Sequence, residues 1–243
     1  MASLMGTKVV VVGGSSGIGL GVAKAALQRG AQLVIVGRSQ DKLLQVQRAL
    51  AADGPVETVT ADMTREAEIS AAFAGIGSFD HLVSTAGAPP PGDPIADTDA
   101  DEIRRFVDNK LIGAVLLAKH AARRIKRGGS MTFTSGINKD KPPVPGGAVV
   151  SAIAGSFSYF ARALALELAP TRVNIVSPGW VDTPMFDELV GDAKAGYFDA
   201  MAAKLPIGRI ASPADIAPAY LHAMESDFTT GETLHIDGGQ RLI

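Results

Sequence analysis

Val9-Val10-Val11-Val12-Gly13-Gly14-Ser15-Ser16-Gly17-Ile18-Gly19 is the stretch that decides the fold of this chain. Four consecutive valines predict a strand that is buried on both faces, because β-branched side chains suit a pleated surface covered by helices. The glycines predict a sharp turn, and the Ala/Leu-rich sequence from Gly17 predicts a helix that ends at Arg29, with Gly30 just beyond it. Because backbone N–H groups at a helix N-terminus attract anions, the strand, turn and helix together predict a phosphate site.

Length and composition narrow the class of protein. The 243 residues suffice for one large α/β domain, and a hydrophobic share of 47% predicts a sizeable core. A net charge of −2 argues against nucleic acids and membrane surfaces as partners. The chain has no cysteine, and its four histidines lack metal-ligand spacing, so we expect neither disulfides nor a metal site.

Two absences in the sequence bear on location. No apolar run approaches the roughly 20 residues that a membrane span needs. The segment from Met1 to Lys8 is too short and too polar for a signal peptide. We therefore expect a cytoplasmic protein with no membrane partner.

The remaining sequence alternates between strand and helix patterns. Six further strands are predicted at residues 33–36, 56–60, 79–85, 130–134, 172–176 and 232–236. Helices are predicted at residues 41–52, 65–74, 99–126 and 149–169, with loops at 88–94 and 141–147. This alternation predicts an α/β fold: a Rossmann-like, doubly wound, mostly parallel seven-stranded sheet in a single domain, residues 1–243. Ligands of such folds bind at the carboxyl ends of the strands.

The glycine spacing Gly13-x-x-x-Gly17-x-Gly19 resembles the cofactor-binding turn of the short-chain dehydrogenase/reductase family. Three later stretches also resemble family motifs: Arg172-Val173-Asn174, residues 178–185 (PGWVDTPM) and residues 230–239 (TGETLHIDGG). The resemblance extends over about residues 7–239. It implies a dinucleotide-binding fold, a nicotinamide cofactor and an oxidoreductase activity by hydride transfer.

The resemblance also implies which residues hold the cofactor. The pyrophosphate is expected at the first turn, and the adenosine at the ends of the third and fourth strands. Pro178, Gly179, Val181 and Thr183 are expected at the nicotinamide. The other expected contacts are Gly13, Ser15, Ser16, Gly17, Ile18, Gly19, Asp62, Met63, Ala86 and Gly87. For Asp62 the alternative is a role as the N-cap of the helix that follows.

The end of the second strand distinguishes NADP from NAD. NAD sites usually carry an acidic residue there, which binds the ribose 2′-hydroxyl. This chain has Gly37-Arg38-Ser39 instead, and a guanidinium matches a 2′-phosphate whereas a carboxylate repels it. We therefore predict NADP(H), with Arg38 and Ser39 at the phosphate. The alternatives are an ordinary surface arginine and, for Ser39, the N-cap of the next helix.

The catalytic residues of the family are largely missing from this chain. The family uses a Tyr followed four residues later by a Lys; these positions align with Val150 and Ala154, and the chain contains no Tyr-x-x-x-Lys. The family's Asn aligns with Lys110, for which the alternative is a surface lysine. Ser135, at the end of the fifth strand, remains to bind a carbonyl oxygen. Asp140, in the charged loop that follows, is a candidate partner for a substrate cation.

Two functions are compatible with this sequence. The first is an NADPH-dependent reductase in which Lys110 supplies charge or a proton and Ser135 orients a small apolar carbonyl, enone or imine compound. The second is an inactive NADP(H)-binding sensor, scaffold or partner subunit. The complete nicotinamide-holding stretch favours the first function, and the missing Tyr and Lys favour the second.

Two further expectations concern the substrate and the assembly. A lid is expected at about residues 181–206, and its apolar side chains favour an apolar or aromatic substrate: Met185, Phe186, Leu189, Tyr197, Phe198 and Met201. The resemblance implies a homo-oligomer, dimer or tetramer, that pairs the two long helices. The small apolar face of Ala161, Ala165 and Leu168 is compatible with such a contact and equally with core packing.

Overall fold

A seven-stranded parallel sheet with helices on both faces forms the protein in a computed structural model, which describes residues 3–243. The strand order is β3-β2-β1-β4-β5-β6-β7, so the predicted doubly wound Rossmann-like fold is confirmed. The strands are β1 (Lys8–Val12), β2 (Gln32–Gly37), β3 (Val56–Thr60), β4 (Phe79–Ser84), β5 (Ile125–Thr134), β6 (Arg172–Pro178) and β7 (Thr233–Ile236). All seven predicted strands are present.

Nine α-helices connect or follow these strands in the described part of the chain. They are α1 (Gly17–Gln28), α2 (Gln40–Leu50), α3 (Glu66–Ile76), α4 (Ala100–Val107), α5 (Gly113–Ala121), α6 (Gly147–Glu167), α7 (Pro184–Val190), α8 (Lys194–Ala202) and α9 (Pro213–Glu225). A π-helical segment (Asp108–Ile112) joins α4 to α5, and short 3-10 turns occupy Ile137–Lys139, Gly191–Ala193 and Gln240–Leu242.

The four valines of β1 explain why the sheet is covered on both sides. Val9 and Val11 pack in one apolar cluster with α1 and α9, whereas Val10 and Val12 pack in a second cluster with α3, α5 and α6. Successive side chains of a strand point to opposite faces, so a run of apolar residues requires two covering layers. Every valine of the run is buried, as the sequence predicts.

The predicted helix at 99–126 is wrong at its C-terminal end. Helix α5 ends at Ala121, and β5 begins at Ile125, because residues 125–129 extend alongside the start of β4. Gly129 permits this approach, since a Cβ atom there would overlap the backbone oxygen of Asp80. The helix is also interrupted in its middle by the π-helical segment, which no feature of the sequence indicated.

Helix α6 is long and apolar enough, by length and composition alone, to cross a membrane. The expectation that no apolar run approaches this length is therefore wrong for α6. Core helices of globular proteins pass the same test, and α6 lies against β6 as part of the layer that covers the sheet. Ala161, Ala165 and Leu168 belong to its core-facing side, so core packing explains that small apolar face.

A buried histidine makes the stability of this fold sensitive to acid. His81 of β4 is only 6% exposed, and its Nδ1 lies 2.9 Å from the Ser130 hydroxyl. Desolvation, together with the positive charge of Arg172, lowers the pKa of His81 from 6.5 to about 4. Between these two pKa values, His81 is therefore mostly protonated in the unfolded chain and mostly neutral in the folded chain. Stability is lost as the pH falls through this window, by about 2 kcal/mol at pH 5.

We expect the variant His81→Gln to lose less unfolding free energy than the wild type between pH 7 and pH 5. Urea unfolding at both pH values measures the difference. The comparison uses the change with pH in each protein, so any pH-independent effect of the substitution cancels. His120→Gln, at a partly exposed histidine on α5, serves as the control. An equal loss of unfolding free energy in His81→Gln and the wild type would contradict the attribution of this acid sensitivity to His81.

Candidate functional site

The glycine turn after β1 is closed too tightly for side chains. Gly13 and Gly17 have φ values of +83° and +50°, which favour glycine. A Cβ atom on Gly13 would lie 2.7 Å from the backbone nitrogen of Ala86, and one on Gly19 would overlap the carbonyl oxygen of Gly13. The turn therefore lies directly against the end of β4, and only glycine fits at these positions.

Helix α1 begins at this turn with its first N–H groups open to a ligand. Ser16 occupies the N-cap position but its side chain makes no capping hydrogen bond, and no acidic residue lies in the first turn. Ile18 and Gly19 follow within that turn. Unpaired N–H groups and the positive end of the helix dipole favour an anion here. This cradle fits the pyrophosphate that the sequence predicts.

Arg38 lies exposed just beyond the end of β2 and is available to a ligand. Within residues 3–243 its guanidinium makes no hydrogen bond or ion pair. The Ser15 hydroxyl is close by, 3.6 Å from the position of a Cβ atom on Gly37. Ser39 caps α2, where its side chain accepts a 3.4 Å hydrogen bond from the Lys42 backbone. A free cation thus borders the glycine turn.

Asp62 occupies the loop that follows β3, with its carboxylate held locally. The carboxylate accepts hydrogen bonds from the backbone N–H and the hydroxyl of Thr64, at 2.9 and 2.8 Å. Burial alone would raise the pKa of Asp62, but the Thr64 hydrogen bonds and the positive charges of Arg38 and Arg65 hold it below its usual value. The N-cap of α3 is Arg65, so the alternative role of Asp62 as that cap is wrong.

The predicted adenosine side of the site contains small or buried residues. Met63 is buried, and its methyl group would lie 2.5 Å from a Cβ atom on Gly113. Thr85 donates its hydroxyl to the backbone oxygens of Val12 and Gly13, at 3.2 and 3.3 Å, and Ala86 and Gly87 follow it. These bonds tie the end of β4 to the glycine turn.

A buried hydroxyl pair supports the end of β4. The Thr134 hydroxyl donates to the backbone oxygen of Ser84 at 2.7 Å and lies 2.6 Å from the Tyr220 hydroxyl. Ser84 occupies the position at which the family motif has Asn, and these hydrogen bonds stabilise the end of β4 at that position. Sequence reasoning missed Tyr220 because α9, which carries it, was not predicted. The only sequence signal was the capping box Ser212-x-x-Asp215.

The segment after β6 folds back over the glycine turn. Gly179 donates its N–H to the Ile236 oxygen at 3.0 Å, as β6 ends at Pro178. Val181 is buried and forms a bridge with Ala211. Thr183 is the N-cap residue of α7, and its Cγ2 lies 3.2 Å from the position of a Cβ atom on Gly17. The structure thus brings the predicted nicotinamide and phosphate positions together.

Lys110 lies close to the end of β4. It lies in the π-helical segment, with its Nζ 3.4 Å from the position of a Cβ atom on Gly87 and 5.8 Å from the centroid of the Phe157 ring. The residue is half-buried, and desolvation lowers its pKa from 10.5 to about 8. Within residues 3–243 it has no hydrogen-bond or ion-pair partner. Lys110 is thus partly buried rather than fully exposed, and its catalytic role stays a prediction.

Asn109, beside it, does not face the site in the same way. Its side-chain amide donates to the backbone oxygen of Arg105 at 2.9 Å, so it is bound to its own helix. Neighbouring residues of a helix project in different directions, which separates the amide from the lysine. Of these two residues, Lys110 is the one whose side chain lies beside Gly87 at the end of β4.

Ser135 is buried at the end of β5 and is bound to α6. Its hydroxyl donates a 2.7 Å hydrogen bond to the backbone oxygen of Ala154. Val150 and Ala154 are both buried on α6 and offer no proton-transfer group. While that bond is made, the Ser135 hydroxyl has no proton left to donate to a substrate carbonyl, although its lone pairs still accept.

Asp140 already has partners within the protein. Its carboxylate lies 2.5 Å from Lys139 Nζ and 3.2 Å from His235 Nε2, and Lys139 donates to His235 at 2.8 Å. Burial and the positive charges of Lys139 and Arg241 lower the pKa of His235. The role of Asp140 toward a substrate cation stays a prediction, because its charge is balanced here by Lys139.

An open apolar cleft of about 410 Å³ lies at the N-terminus of α6. It lies between residues 93–98 and residues 142–151, which comprise the loop before α6 and the first turn of that helix. Close to it, Gly146 approaches the Gly92 carbonyl. The cleft walls include Pro94, Ile95, Pro142, Pro143 and Val144. The sequence predicted loops at 88–94 and 141–147 from their prolines, but not that these segments face each other.

The predicted lid is a small helical unit. Helices α7 and α8 pack through Phe186, whose ring centroid lies 6.1 Å from that of Tyr197 and 5.2 Å from that of Phe198. Lys194 binds Asp182 and Asp187 at 2.7 and 2.6 Å. The unit thus has its own apolar cluster and an ion pair to the segment that follows β6, while Met185 and Leu189 remain exposed.

Comparison with known proteins identifies the family of this chain. A family model described as enoyl-(acyl carrier protein) reductase matches residues 12–241. Short-chain dehydrogenase/reductase malC of Malbranchea aurantiaca is 32% identical, with 98% of this chain and 96% of that protein covered. Cis-4-hydroxycyclohexanecarboxylate dehydrogenase of Sinomonas cyclohexanicum is 35% identical, with 96% of each covered.

Solved structures resemble the whole chain as well. The MalC reductase/Diels-Alderase of Malbranchea aurantiaca superposes with a TM-score of 0.91 at 32% identity, covering 99% of this chain and 98% of that one. A small-chain dehydrogenase in complex with NADPH has a TM-score of 0.83 at 33% identity, covering 98% and 100%. The chain therefore belongs to the short-chain dehydrogenase/reductase family and is an oxidoreductase of that nicotinamide-dependent type.

Proposed function

We propose that the protein is an NADPH-dependent reductase in which Lys110 replaces the family's Tyr and Lys. The observation that carries this proposal is the position of its Nζ, beside Gly87 at the end of β4, without a carboxylate partner in the described chain. An unbalanced positive charge at the ligand-binding edge of the sheet attracts a polarised oxygen or nitrogen of a substrate.

The residues of the site fit NADP(H). The glycine turn and the N-terminus of α1 hold the pyrophosphate, because no side chain blocks their N–H groups. Arg38 and Ser39 bind the 2′-phosphate, and Asp62, Met63, Ala86 and Gly87 surround the adenosine. Pro178, Gly179, Val181 and Thr183 hold the nicotinamide, which supplies a hydride when it is reduced. The NADPH complex of a relative supports the choice of NADP over NAD.

The missing Tyr restricts the substrate class. A ketone that accepts a hydride becomes an alkoxide and needs a proton donor, whereas an imine cation becomes a neutral amine directly. An enone that accepts a hydride at its β-carbon becomes an enolate, which is less basic than an alkoxide and takes a proton from water at its α-carbon. Lys110 stabilises the negative oxygen of that enolate, so small apolar enones and imines suit the site better than simple ketones. The family model's description as an enoyl reductase supports a substrate with a conjugated C=C bond.

We expect Lys110→Met to lower the rate of NADPH-dependent reduction by at least about 100-fold, the usual scale for losing a positioned acid or charge. The melting temperature should stay the same or rise, because the half-buried cation has no ion-pair partner to lose. The assay is a panel of enones, cyclic imines and simple ketones, followed by NADPH absorbance. Lys119→Met, on the outer side of α5, is the control, since Lys119 pairs with Glu66 at the surface.

Transfer of deuterium from 4-deuterated NADPH to a product separates the reductase from an inactive NADP(H)-binding sensor, scaffold or partner subunit. Label in the product supports the reductase. NADPH binding with no labelled product across the panel supports the inactive alternative. Unchanged turnover in Lys110→Met would end the catalytic role of this lysine.

Cycloaddition is a second candidate activity. The similar MalC structure is described as both a reductase and a Diels-Alderase. A partly buried cation against an aromatic ring would polarise a diene or dienophile as well as a hydride acceptor. Product mass distinguishes the two reactions, because reduction adds two hydrogen atoms and cyclisation leaves the mass unchanged.

For assembly we propose a homodimer or homotetramer formed through α4, α5 and α6, in a cytoplasmic protein. These helices expose apolar side chains in the single chain, with Tyr159 73% and Leu166 83% exposed on α6 and Val115 40% exposed on α5. Covering such residues favours self-association. Light scattering of the wild type and of Leu166→Glu measures the state directly.

A further inference from the structure

The amine of Lys110 differs from those of the ion-paired lysines in its surroundings. Lys119, Lys126, Lys139 and Lys194 each lie within 2.9 Å of a carboxylate oxygen. Lys110 instead has an aromatic ring on one side and the backbone of a glycine on the other. Nothing in residues 3–243 bonds its nitrogen, so its lone pair is available when the proton is absent.

Deprotonation of this amine is easy at ordinary pH. With a pKa of about 8, about a quarter of Lys110 is neutral at pH 7.5, against roughly one part in a thousand for an ordinary lysine. A neutral amine in an apolar site attacks carbonyl carbon, and desolvated lysines are the residues that form Schiff bases in enzymes.

We propose that Lys110 forms an iminium with the carbonyl carbon of an α,β-unsaturated aldehyde or ketone, and thereby activates the substrate for reduction. This inference rests on the proposed reductase function and names its substrate class. Iminium formation requires the carbonyl group of an aldehyde or ketone, so esters and thioesters are excluded as covalent partners.

The Lys110 nitrogen adds to the carbonyl carbon and gives up one proton. The oxygen takes up that proton and a second one from solvent and leaves as water, so a C=N bond with positive charge remains. That cation withdraws electrons from the conjugated C=C bond, so the β-carbon becomes the acceptor of the hydride that NADPH supplies. The resulting enamine takes a proton from water at its α-carbon. Hydrolysis then releases the saturated product and returns the amine.

This chemistry explains two features of the site together. The substrate oxygen leaves as water before reduction, so no alkoxide forms and no tyrosine is needed to protonate one. The positive charge stays on the same nitrogen, where the Phe157 ring stabilises an iminium as it does an ammonium. Gly87 has no side chain, which leaves space beside the nitrogen for the substrate.

Reductive trapping tests the proposal without NADPH. The purified protein is incubated with cinnamaldehyde and sodium cyanoborohydride, and the modified lysines are identified by peptide mass spectrometry. We expect Lys110 to be alkylated at least about 20-fold faster than the exposed residues Lys42 and Lys204, because far more of it is neutral. Its labelling rate should rise with pH and level off near pH 8.

Lys110→Arg is the matched variant, since it keeps the positive charge but forms no iminium. It should lose the fast labelling and at least about 100-fold of enone reduction. Labelling of Lys110 no faster than of exposed lysines would overturn the proposal, and so would an arginine variant that reduces enones at the wild-type rate. The labelling of the wild type decides the matter even if the variant folds poorly.

The two proposals fail in different ways. Fluorescence titration with NADPH and the deuterium transfer test the reductase, whereas cyanoborohydride trapping tests the iminium alone. Fast trapping without hydride transfer would support the covalent site and contradict the reductase. Hydride transfer to an enoyl thioester without fast trapping would support the reductase and overturn the iminium.

Discussion

We expect Gly19→Ala to lower the affinity for NADPH by at least about 100-fold, which corresponds to roughly 3 kcal/mol of binding free energy. A Cβ atom at this position would overlap the carbonyl oxygen of Gly13 and lie 2.5 Å from the Thr85 hydroxyl. Neither neighbour can move freely, because the Thr85 hydroxyl binds the backbone of Val12 and Gly13. The added methyl group must therefore push apart the turn and the end of β4, where we propose that the pyrophosphate and ribose bind.

Fluorescence titration with NADPH measures this loss, and thermal unfolding measures the strain on the fold. Gly75→Ala is the matched control: Gly75 lies inside α3, and a Cβ atom there meets nothing within 4 Å. That substitution should leave NADPH affinity unchanged and stabilise the helix by up to about 1 kcal/mol. A Gly19→Ala protein that binds NADPH as tightly as the wild type would show that the turn does not hold the nucleotide.

Arg38→Glu reverses the preference between the two dinucleotides. In the wild type we expect NADPH to bind at least tenfold more tightly than NADH. Charge-assisted hydrogen bonds contribute about 1.5–3 kcal/mol, and the glutamate adds repulsion of the 2′-phosphate. We therefore expect NADPH affinity to fall by about 100-fold, while NADH affinity stays the same or rises because a carboxylate accepts from the 2′-hydroxyl.

Titration of both proteins with both dinucleotides gives the ratio. Arg127→Glu makes the same charge change at an exposed residue near the start of β5, at the opposite end of the sheet from the glycine turn. We expect Arg127→Glu to leave the affinities for NADPH and NADH nearly unchanged, because the only effect left is that of the net charge, which salt screens. Equal affinities of the wild type for NADPH and NADH would contradict the role of Arg38.

The fold was predictable because its signals are local. Four valines in a row require a strand covered on both faces, and the glycine spacing after them requires a turn without Cβ atoms. Alternation of strands and helices then leaves few ways to connect a parallel sheet. The cofactor residues are predicted by the same logic, since most of them lie at or soon after the carboxyl end of a strand. The family relationship supports a nicotinamide cofactor, and the individual contacts stay predictions.

Some features depend on contacts between distant segments, which override local preference. The sequence at 122–126 is predicted as helix, but residues 122–124 form a turn and Ile125 begins β5 beside the start of β4. Asp140 is predicted as a partner for a substrate cation, and the structure adds Lys139 and His235 beside its carboxylate. Ser135 is predicted to bind a carbonyl oxygen, and its hydroxyl donates to the backbone of α6. Both roles stay predictions.

By itself the sequence determined the parallel sheet, the glycine turn after β1 and the absence of a Tyr-x-x-x-Lys pair, and it predicted a phosphate at that turn and NADP(H) at Arg38. Those conclusions depend on residue types and short spacings, which the chain carries wherever it folds. Only the tertiary structure decided the environment of Lys110. Its half-buried position between Gly87 and Phe157, and the lowered pKa that follows, come from packing three separate segments around one amine.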